Sequence, residues 1–203
     1  MLLYFLPLFR IVPLGQAEQR GNLKSAEFEA TTFVGTFWNE QLIPGASKAV
    51  EVSKLIGAIE QDHQAARGAH GRSLGLSGTY FYFLSGTGQV ISVEKNTVGL
   101  SIDDDSTQAE VLLETGLIFG NAVRDGTGLL DVNDFANSQD FNAISTELNR
   151  RIETDVLPKL REKATVGSTI RFVGCAQITD EGTDLSPLRV VPFIGQVTPG
   201  EAP

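Results

Sequence analysis

Along this chain the spacing of hydrophobic residues changes from strand-like to helix-like and back again. The order of these changes constrains the fold more than any single motif does. Apolar residues recur every three or four positions from Phe141 to Leu160, which predicts one long helix. Strand patterns separated by short turns precede this helix and follow it. Three strands are expected before the helix, at 79–93, 98–102 and 111–113, and two after it, at 170–178 and 188–197.

Two irregularities fall within these strands. Ser85–Gly88 carries two glycines and predicts a bulge or a sharp bend, and Pro192 predicts an edge position or a bulge because it cannot donate to a ladder.

Three strands, a helix and two strands is the order of an OB-type barrel. The expected class is therefore α+β: a small OB-like antiparallel β-barrel of about five strands, with a long helix between strands three and four and an N-terminal helical arm. A helix-capped open antiparallel sheet is the alternative.

The N-terminal arm is predicted from two amphipathic stretches. Helical spacing of apolar residues runs from Ala26 to Leu42, and Pro44 with Gly45 is expected to end that helix. A second helical pattern from 49 to 59 gives way to a polar, glycine-containing segment that predicts a loop. We expect two parts of the chain: an apolar N-terminal segment with its linker at 1–22, and a single α+β domain with the N-terminal helices and OB-like barrel at 23–203.

The first residues, MLLYFLPLFRIVPL, are nearly all apolar, but the run is shorter than the roughly 20 residues that a membrane span needs. A secretory signal would have basic residues ahead of its apolar core and a small-residue cleavage site after it, and neither is clear here. Three interpretations remain open: the end of a signal anchor whose start lies upstream, a core-packed opening strand, and a degenerate signal. We favour the first.

Charge and histidine, cysteine and aspartate content argue against several classes of partner and cofactor. The net charge of −9 argues against binding to nucleic acid and against a polybasic membrane patch. The only cysteine, Cys175, excludes an intrachain disulfide and a multi-cysteine metal site, and is expected to be a buried, inert thiol. His63 and His70 lack metal-ligand spacing, and Asp103–Ser106 fits a solvated hairpin turn better than a calcium loop. We expect no cofactor and no metal.

The segment from Glu114 to Asn149 sets polar residues among apolar ones, so it is either an internal network or a site. Arg124-Asp125 forms either an internal ion pair that fixes the crossover to the long helix, or a clamp for an anionic ligand. Asn133, Asn137 and Gln139 could cap the helix and its preceding turn. The candidate ligand-binding residues are Arg124, Asp125, Asn133, Asn137 and Gln139, and no catalytic residue is assigned.

Four segments carry a resemblance to a known family: FRIVPL, the helix end WNEQLIP, the turn GTGQV, and above all TGLIFGNAVRD with NDFANSQDFNAISTELN. Together they resemble a bacterial family of predicted periplasmic lipoproteins, whose members are often encoded beside sugar ABC-type transporters. Members usually carry a hydrophobic membrane segment, often with a lipid-accepting cysteine, ahead of the equivalent of FRIVPL. This chain has no cysteine before Cys175.

The apolar start and the resemblance together favour a non-catalytic accessory protein, anchored at the membrane on the periplasmic side of the cell envelope. The expected partner is an envelope or ABC-transporter protein, with the N-terminus in the membrane and no nucleic acid bound. One alternative is a small-molecule-binding or hydrolytic enzyme that uses Arg124, Asp125 and Asp134. The other is a cytosolic protein-interaction domain that uses the OB-like face.

Overall fold

A closed five-stranded barrel forms the centre of the protein. The computed structural model describes residues 28–74, 78–103 and 106–200. The barrel strands are β3 (Tyr80–Val93), β4 (Thr97–Ser101), β5 (Val111–Glu114), β6 (Thr169–Ile178) and β7 (Leu188–Thr198). They are hydrogen-bonded in the order β3-β4-β5-β7-β6, and β6 pairs with β3 to close the ring. Only the β5–β7 pairing of the ring is parallel. The predicted OB-type order is therefore confirmed.

Two short strands extend β3 on its free side. β1 (Val50–Glu51) pairs with β3 in parallel, and β2 (Gly71–Ser73) pairs with it in antiparallel orientation. The sequence did not predict either strand, because each is too short to show a hydrophobic period.

Both faces of the first half of β3 are buried, as its run of aromatic residues predicts. Because side chains alternate along a strand, Tyr80 and Tyr82 lie on one face of β3 and Phe83 lies on the other. The ring centroid of Phe83 lies 6.0 Å from that of Phe193, which lies 6.3 Å from Trp38 in the first helix. The outer aromatic layer therefore attaches the N-terminal helices to the barrel.

The interruption predicted at Ser85–Gly88 is wrong. β3 pairs with β6 without a break from Tyr80 to Gln89, and the register shift against β4 falls later, between Val90 and Ser92. Gly86 instead provides space, since a Cβ there would collide with the side chain of Val52. The glycine lets a helix approach the strand closely.

The bulge predicted at Pro192 is confirmed. Gly174 pairs with Pro192 whereas Val173 pairs with Ile194, so Phe193 is an extra residue on β7. Gly174 stands opposite this bulge, and a Cβ on it would overlap the Val191 carbonyl oxygen. Only a residue without a side chain fits at this place in the ladder.

The N-terminal arm consists of two helices that pack on the rest of the domain. Helix α1 comprises an α-helical segment, Ala30–Phe37, a π-helical turn, Trp38–Leu42, and a last turn, Ile43–Gly45, followed by a 3-10 turn, Ala46–Lys48. The α-helix therefore ends at Gly45, as predicted, and only a 3-10 turn follows it. The predicted start at Ala26 and the whole segment 1–22 lie outside the described residues.

Helix α2 (Val52–His70) is longer than predicted, because the polar segment after Ile59 is helical and not a loop. Asp62 has non-helical backbone angles (φ −162°, ψ 101°) and marks a kink. Its carboxylate accepts the amide N–H groups of Gln64 at 2.9 Å and Ala65 at 3.1 Å. Asp62 thus acts as an N-cap inside the helix and restarts it in a segment whose composition indicates a loop.

Between β5 and β6 lie a short helix, α3 (Ala122–Gly126), and the predicted long helix. The long helix consists of α4 (Ser138–Arg151), a π-helical turn (Ile152–Val156) and α5 (Leu157–Lys163). Its apolar face is buried, which confirms the prediction from 3.6-residue spacing. Across residues 28–74, 78–103 and 106–200, no helix combines the length and hydropathy required to span a bilayer.

The turn predicted at Asp103–Ser106 leads from β4 towards β5. The Ser106 N–H donates to the Asp103 carbonyl at 2.9 Å, as in a tight turn. Asp104 and Asp105 lie outside the described residues.

We expect Gly174→Ala to lower the free energy of unfolding by about 1–3 kcal/mol, because the added methyl group overlaps backbone opposite the bulge. Gly57→Ala is the matched control. Gly57 lies inside α2 with open space around it, so alanine should be neutral or stabilise by up to about 1 kcal/mol. Urea denaturation of both variants measures the difference, and equal stability would contradict the bulge geometry.

Candidate functional site

The loop from Thr115 to Asn121 joins β5 to α3 and is held at its start by backbone and side-chain bonds. The carbonyl of Asn96 accepts the amide N–H of Thr115 at 2.7 Å and that of Gly116 at 3.1 Å. From the other side, the guanidinium of Arg161 donates to the carbonyls of the same two residues. This end of the loop is therefore fixed to both the barrel and α5.

The long helix holds the second half of the loop. The Ile118 N–H donates to Glu153 Oε1 at 2.7 Å, and the Asn149 amide donates to the Gly120 carbonyl at 3.0 Å. Gly120 has φ +81°, in the left-handed region that favours glycine, and this turns the chain into α3. The loop conformation is thus set before any partner binds.

This fixed loop exposes two large apolar side chains. Ile118 is buried, but Leu117 on one side of it is 74% exposed and Phe119 on the other is 81% exposed. Because Ile118 enters the core, its two neighbours must point outward. Adjacent exposed apolar side chains on an ordered loop are typical of a contact surface.

A cleft lies on each side of the loop. The larger, of about 520 Å³, separates the loop from α4, and the smaller, of about 250 Å³, separates it from β7. The larger cleft is lined by Leu117, Ile118, Phe119, Gly120, Asn121, Asn142, Ser145, Thr146, Asn149, Arg150 and Glu153. The smaller cleft is lined by Glu114, Leu117, Ile118, Phe119, Ala122, Gln177, Arg189 and Val191.

Arg124 and Asp125 form a buried ion pair directly behind the larger cleft. Arg124 Nε donates to Asp125 Oδ1 at 2.6 Å and Nη2 donates to Oδ2 at 3.0 Å, so the contact is bidentate. Nη1 donates to the Phe141 carbonyl and to Asn142 Oδ1, both at 3.1 Å. The guanidinium carbon also lies 3.9 Å from the centre of the Phe141 ring. The pair joins α3 to α4, as expected of an internal ion pair that fixes the crossover to the long helix.

The other three predicted ligand-binding residues are exposed near the start of α4. Asn137 is the N-cap: its Oδ1 accepts the Asp140 N–H at 2.8 Å, and its amide donates to Asp140 Oδ2. Asn133 donates to Asp131 in the preceding 3-10 turn, and Gln139 lies in the first turn of α4. The structure does not gather these three residues with the buried Arg124-Asp125 pair on one surface. A ligand-binding role for the five stays a prediction.

The carboxylates named for a hydrolytic enzyme stand in different environments. Both oxygens of Asp125 accept from Arg124 in the interior, whereas Asp134 is exposed at the end of a 3-10 turn. Arg124, the anion clamp in that alternative, donates four of its five N–H groups to internal acceptors.

Sequence analysis did not single out most of the residues that shape the clefts, most clearly Leu117, Phe119, Asn142 and Ser145. They fall in or beside the segment already noted for mixing polar and apolar residues. The available signal was the pair of glycines that flank Leu117–Phe119, since such a short apolar run between glycines fits a loop better than a strand end. Which of its side chains point outward depends on packing.

The comparisons with known proteins agree with this structure. A family profile described as "Predicted periplasmic lipoprotein (DUF2291)" matches residues 1–194. The chain belongs to this family of predicted periplasmic lipoproteins. Membership in DUF2291 confirms the resemblance and the expected location, anchored at the membrane on the periplasmic side of the cell envelope.

A solved structure supports the fold of this DUF2291 member. An OB-fold protein from Thermotoga maritima superposes with a TM-score of 0.74 at 19% sequence identity, over 84% of this chain and 99% of that one. At that identity the likeness concerns the fold alone. A comparison with curated proteins found no match.

We expect Arg124→Ala to lower the free energy of unfolding by about 3–5 kcal/mol, because it leaves the Asp125 carboxylate buried without a partner. Arg189→Ala is the control. It removes a half-exposed ion pair with Glu114 and should change stability by no more than about 1 kcal/mol. Chemical denaturation compares the two, and an Arg124→Ala protein as stable as wild type would refute the structural role.

Cys175 should be unreactive while the protein is folded. It is fully buried, and this burial raises the pKa of its thiol well above the usual range, so little thiolate forms near neutral pH. A thiol reagent should therefore label the protein only in denaturant. Stoichiometric labelling of the native protein would show that β6 opens readily.

Proposed function

We propose that this protein is a non-catalytic accessory protein of the cell envelope that binds a partner protein through the loop Leu117–Gly120. The observation that carries the proposal is the exposure of Leu117 and Phe119 on a loop whose backbone is already fixed. Exposed apolar patches mark interaction sites, and phenylalanine is among the residues enriched at protein interfaces. A fixed loop loses little conformational entropy on binding, which favours affinity.

The charges around the loop favour a protein over a lipid surface as the partner. Two carboxylates, Glu114 and Glu153, and two guanidinium groups, Arg150 and Arg189, line the clefts beside the loop, and the whole chain carries a net charge of −9. Anionic headgroups attract clusters of basic residues, so a surface without an excess of positive charge is a poor match for them. A protein partner can place apolar side chains against the exposed faces of Leu117 and Phe119.

We further propose that the partner is a component of an ABC-type transporter, and the best candidate is a sugar transporter. The periplasmic side of the membrane is also where the external parts of such transporters lie, which supports this proposal. The resemblance to a family often encoded beside sugar transporters gives this candidate its support. Both proteins would be held at the same membrane, this one by its N-terminus. Confinement to one surface raises the effective concentration of each protein for the other.

Site-specific photocrosslinking in cells tests the proposal. A photoreactive phenylalanine analogue at position 119 should crosslink to one envelope protein, identified by mass spectrometry as a transporter component. The control is the same analogue at Val166, an exposed apolar residue in the loop between α5 and β6, which should not give that adduct. Adding Leu117→Ser to the position 119 protein should weaken the crosslink while stability changes by less than about 1 kcal/mol, because Leu117 is mostly exposed.

Three results would count against the proposal. The same adduct from positions 119 and 166 would indicate non-specific contact. Adducts only to a second copy of this chain would assign the loop to self-association. Crosslinks only to lipid would assign it to the membrane surface.

A further inference from the structure

Ser145, in the middle of α4, has a buried hydroxyl without a partner. The residue is 5% exposed, its Oγ has no hydrogen-bond partner among the described residues, and it lines the 520 Å³ cleft. A serine inside a helix commonly donates to the carbonyl four residues earlier. Here that carbonyl belongs to Phe141 and already accepts from Arg124. The Oγ has almost no exposed area of its own, so a ligand in the cleft reaches this unpaired hydroxyl once Ser145 rotates about χ1.

Other side chains on the same face of α4 keep unused hydrogen-bonding groups towards the cleft. The positions 142, 145, 149 and 153 follow helical spacing, so the side chains form one row. Asn142 accepts from Arg124 through Oδ1, which leaves its amide N–H groups as donors. Asn149 donates to Gly120, which leaves its Oδ1 as an acceptor. Glu153 accepts from Ile118 through Oε1, which leaves Oε2.

The charge balance of the cleft disfavours an ionic ligand. The guanidinium of Arg150 is occupied by Glu147, with Nε and Nη2 donating to the two carboxylate oxygens at 2.8 and 2.6 Å. Glu153 adds a negative charge, which repels anions. The groups left over are amides, a hydroxyl and one carboxylate oxygen, and this set suits a neutral molecule with several hydroxyl groups.

We propose that this cleft binds a neutral polyhydroxylated molecule of about monosaccharide size. The volume falls within the usual range of small-molecule sites, roughly 300–1,000 Å³. The ligand's hydroxyls pair with Asn142, Ser145 and Asn149, and its apolar face contacts Phe119 at the rim. The inference goes beyond the proposed function, which needs only the outward faces of Leu117 and Phe119.

Arg124 is a positioning residue for this site. It occupies the Phe141 carbonyl, which frees the Ser145 hydroxyl, and it orients the Asn142 amide through Oδ1. Its partner Asp125 fixes the guanidinium in turn. The buried ion pair thus acts on the cleft from behind, without touching the ligand.

Titration calorimetry of the purified full-length protein tests the inference with three neutral probes, D-glucose, D-ribose and myo-inositol, and one anionic probe, gluconate. At least one neutral probe should bind saturably and more tightly than gluconate. Ser145→Ala should weaken that binding about tenfold and Ser145→Val at least as much, since each removes one hydrogen bond from a buried site. The control Ser138→Ala, the same change at an exposed position in the first turn of the same helix and away from the cleft, should leave binding unchanged.

Thermal melts of the unliganded variants establish that they are folded before binding is compared. Absence of binding by all three neutral probes would overturn the inference, as would tighter binding of gluconate. Binding that is unaffected by either Ser145 variant would overturn the site assignment. The crosslink from position 119 is measured separately, so failure here and failure of the partner proposal give different results.

Discussion

Ten consecutive residue pairs join β3 to β6, and this long antiparallel contact converts an open sheet into a barrel. Closure satisfies the backbone groups that would otherwise form an exposed edge, which removes a common route to aggregation. It is possible because β3 is fourteen residues long. Residues 80–89 pair with β6, and the strand then turns to pair with β4 through residues 89–93. The helices and the loop after β5 take their positions from this ring.

The crossover from β5 to β6 carries the features that distinguish this domain from a plain barrel. Arg124 and Asp125 bind α3 to the start of α4, and side chains further along the helix hold the loop that exposes Leu117 and Phe119. One buried ion pair and a few amide contacts thereby create a fixed apolar surface and a polar cleft beside it. A buried ion pair of this kind contributes little net stability compared with apolar packing. We therefore attribute its role here to positioning α3 against α4.

Where the sequence prediction failed, a local pattern was overridden by an identifiable contact. The polar segment after Ile59 has the composition of a loop, but the Asp62 carboxylate caps a new helical turn there. Ser85–Gly88 looks like an interruption, but Gly86 is required by the approach of Val52 to a continuous strand. The bulge predicted at Pro192 was correct because proline has no N–H to donate, and this interrupts the hydrogen bonding of any β-ladder.

The sequence by itself determined the order of helices and strands, the buried state of Cys175 and the family, because hydrophobic period, turn residues and motifs are local properties. From those it also determined the OB-type class, since few topologies accommodate that order of elements. Tertiary structure alone decided that Leu117 and Phe119 point outward and that Arg124 occupies the acceptor Ser145 would use. Those facts depend on contacts between residues far apart in the chain, and no local pattern encodes which of several polar groups is left without a partner once the core has packed.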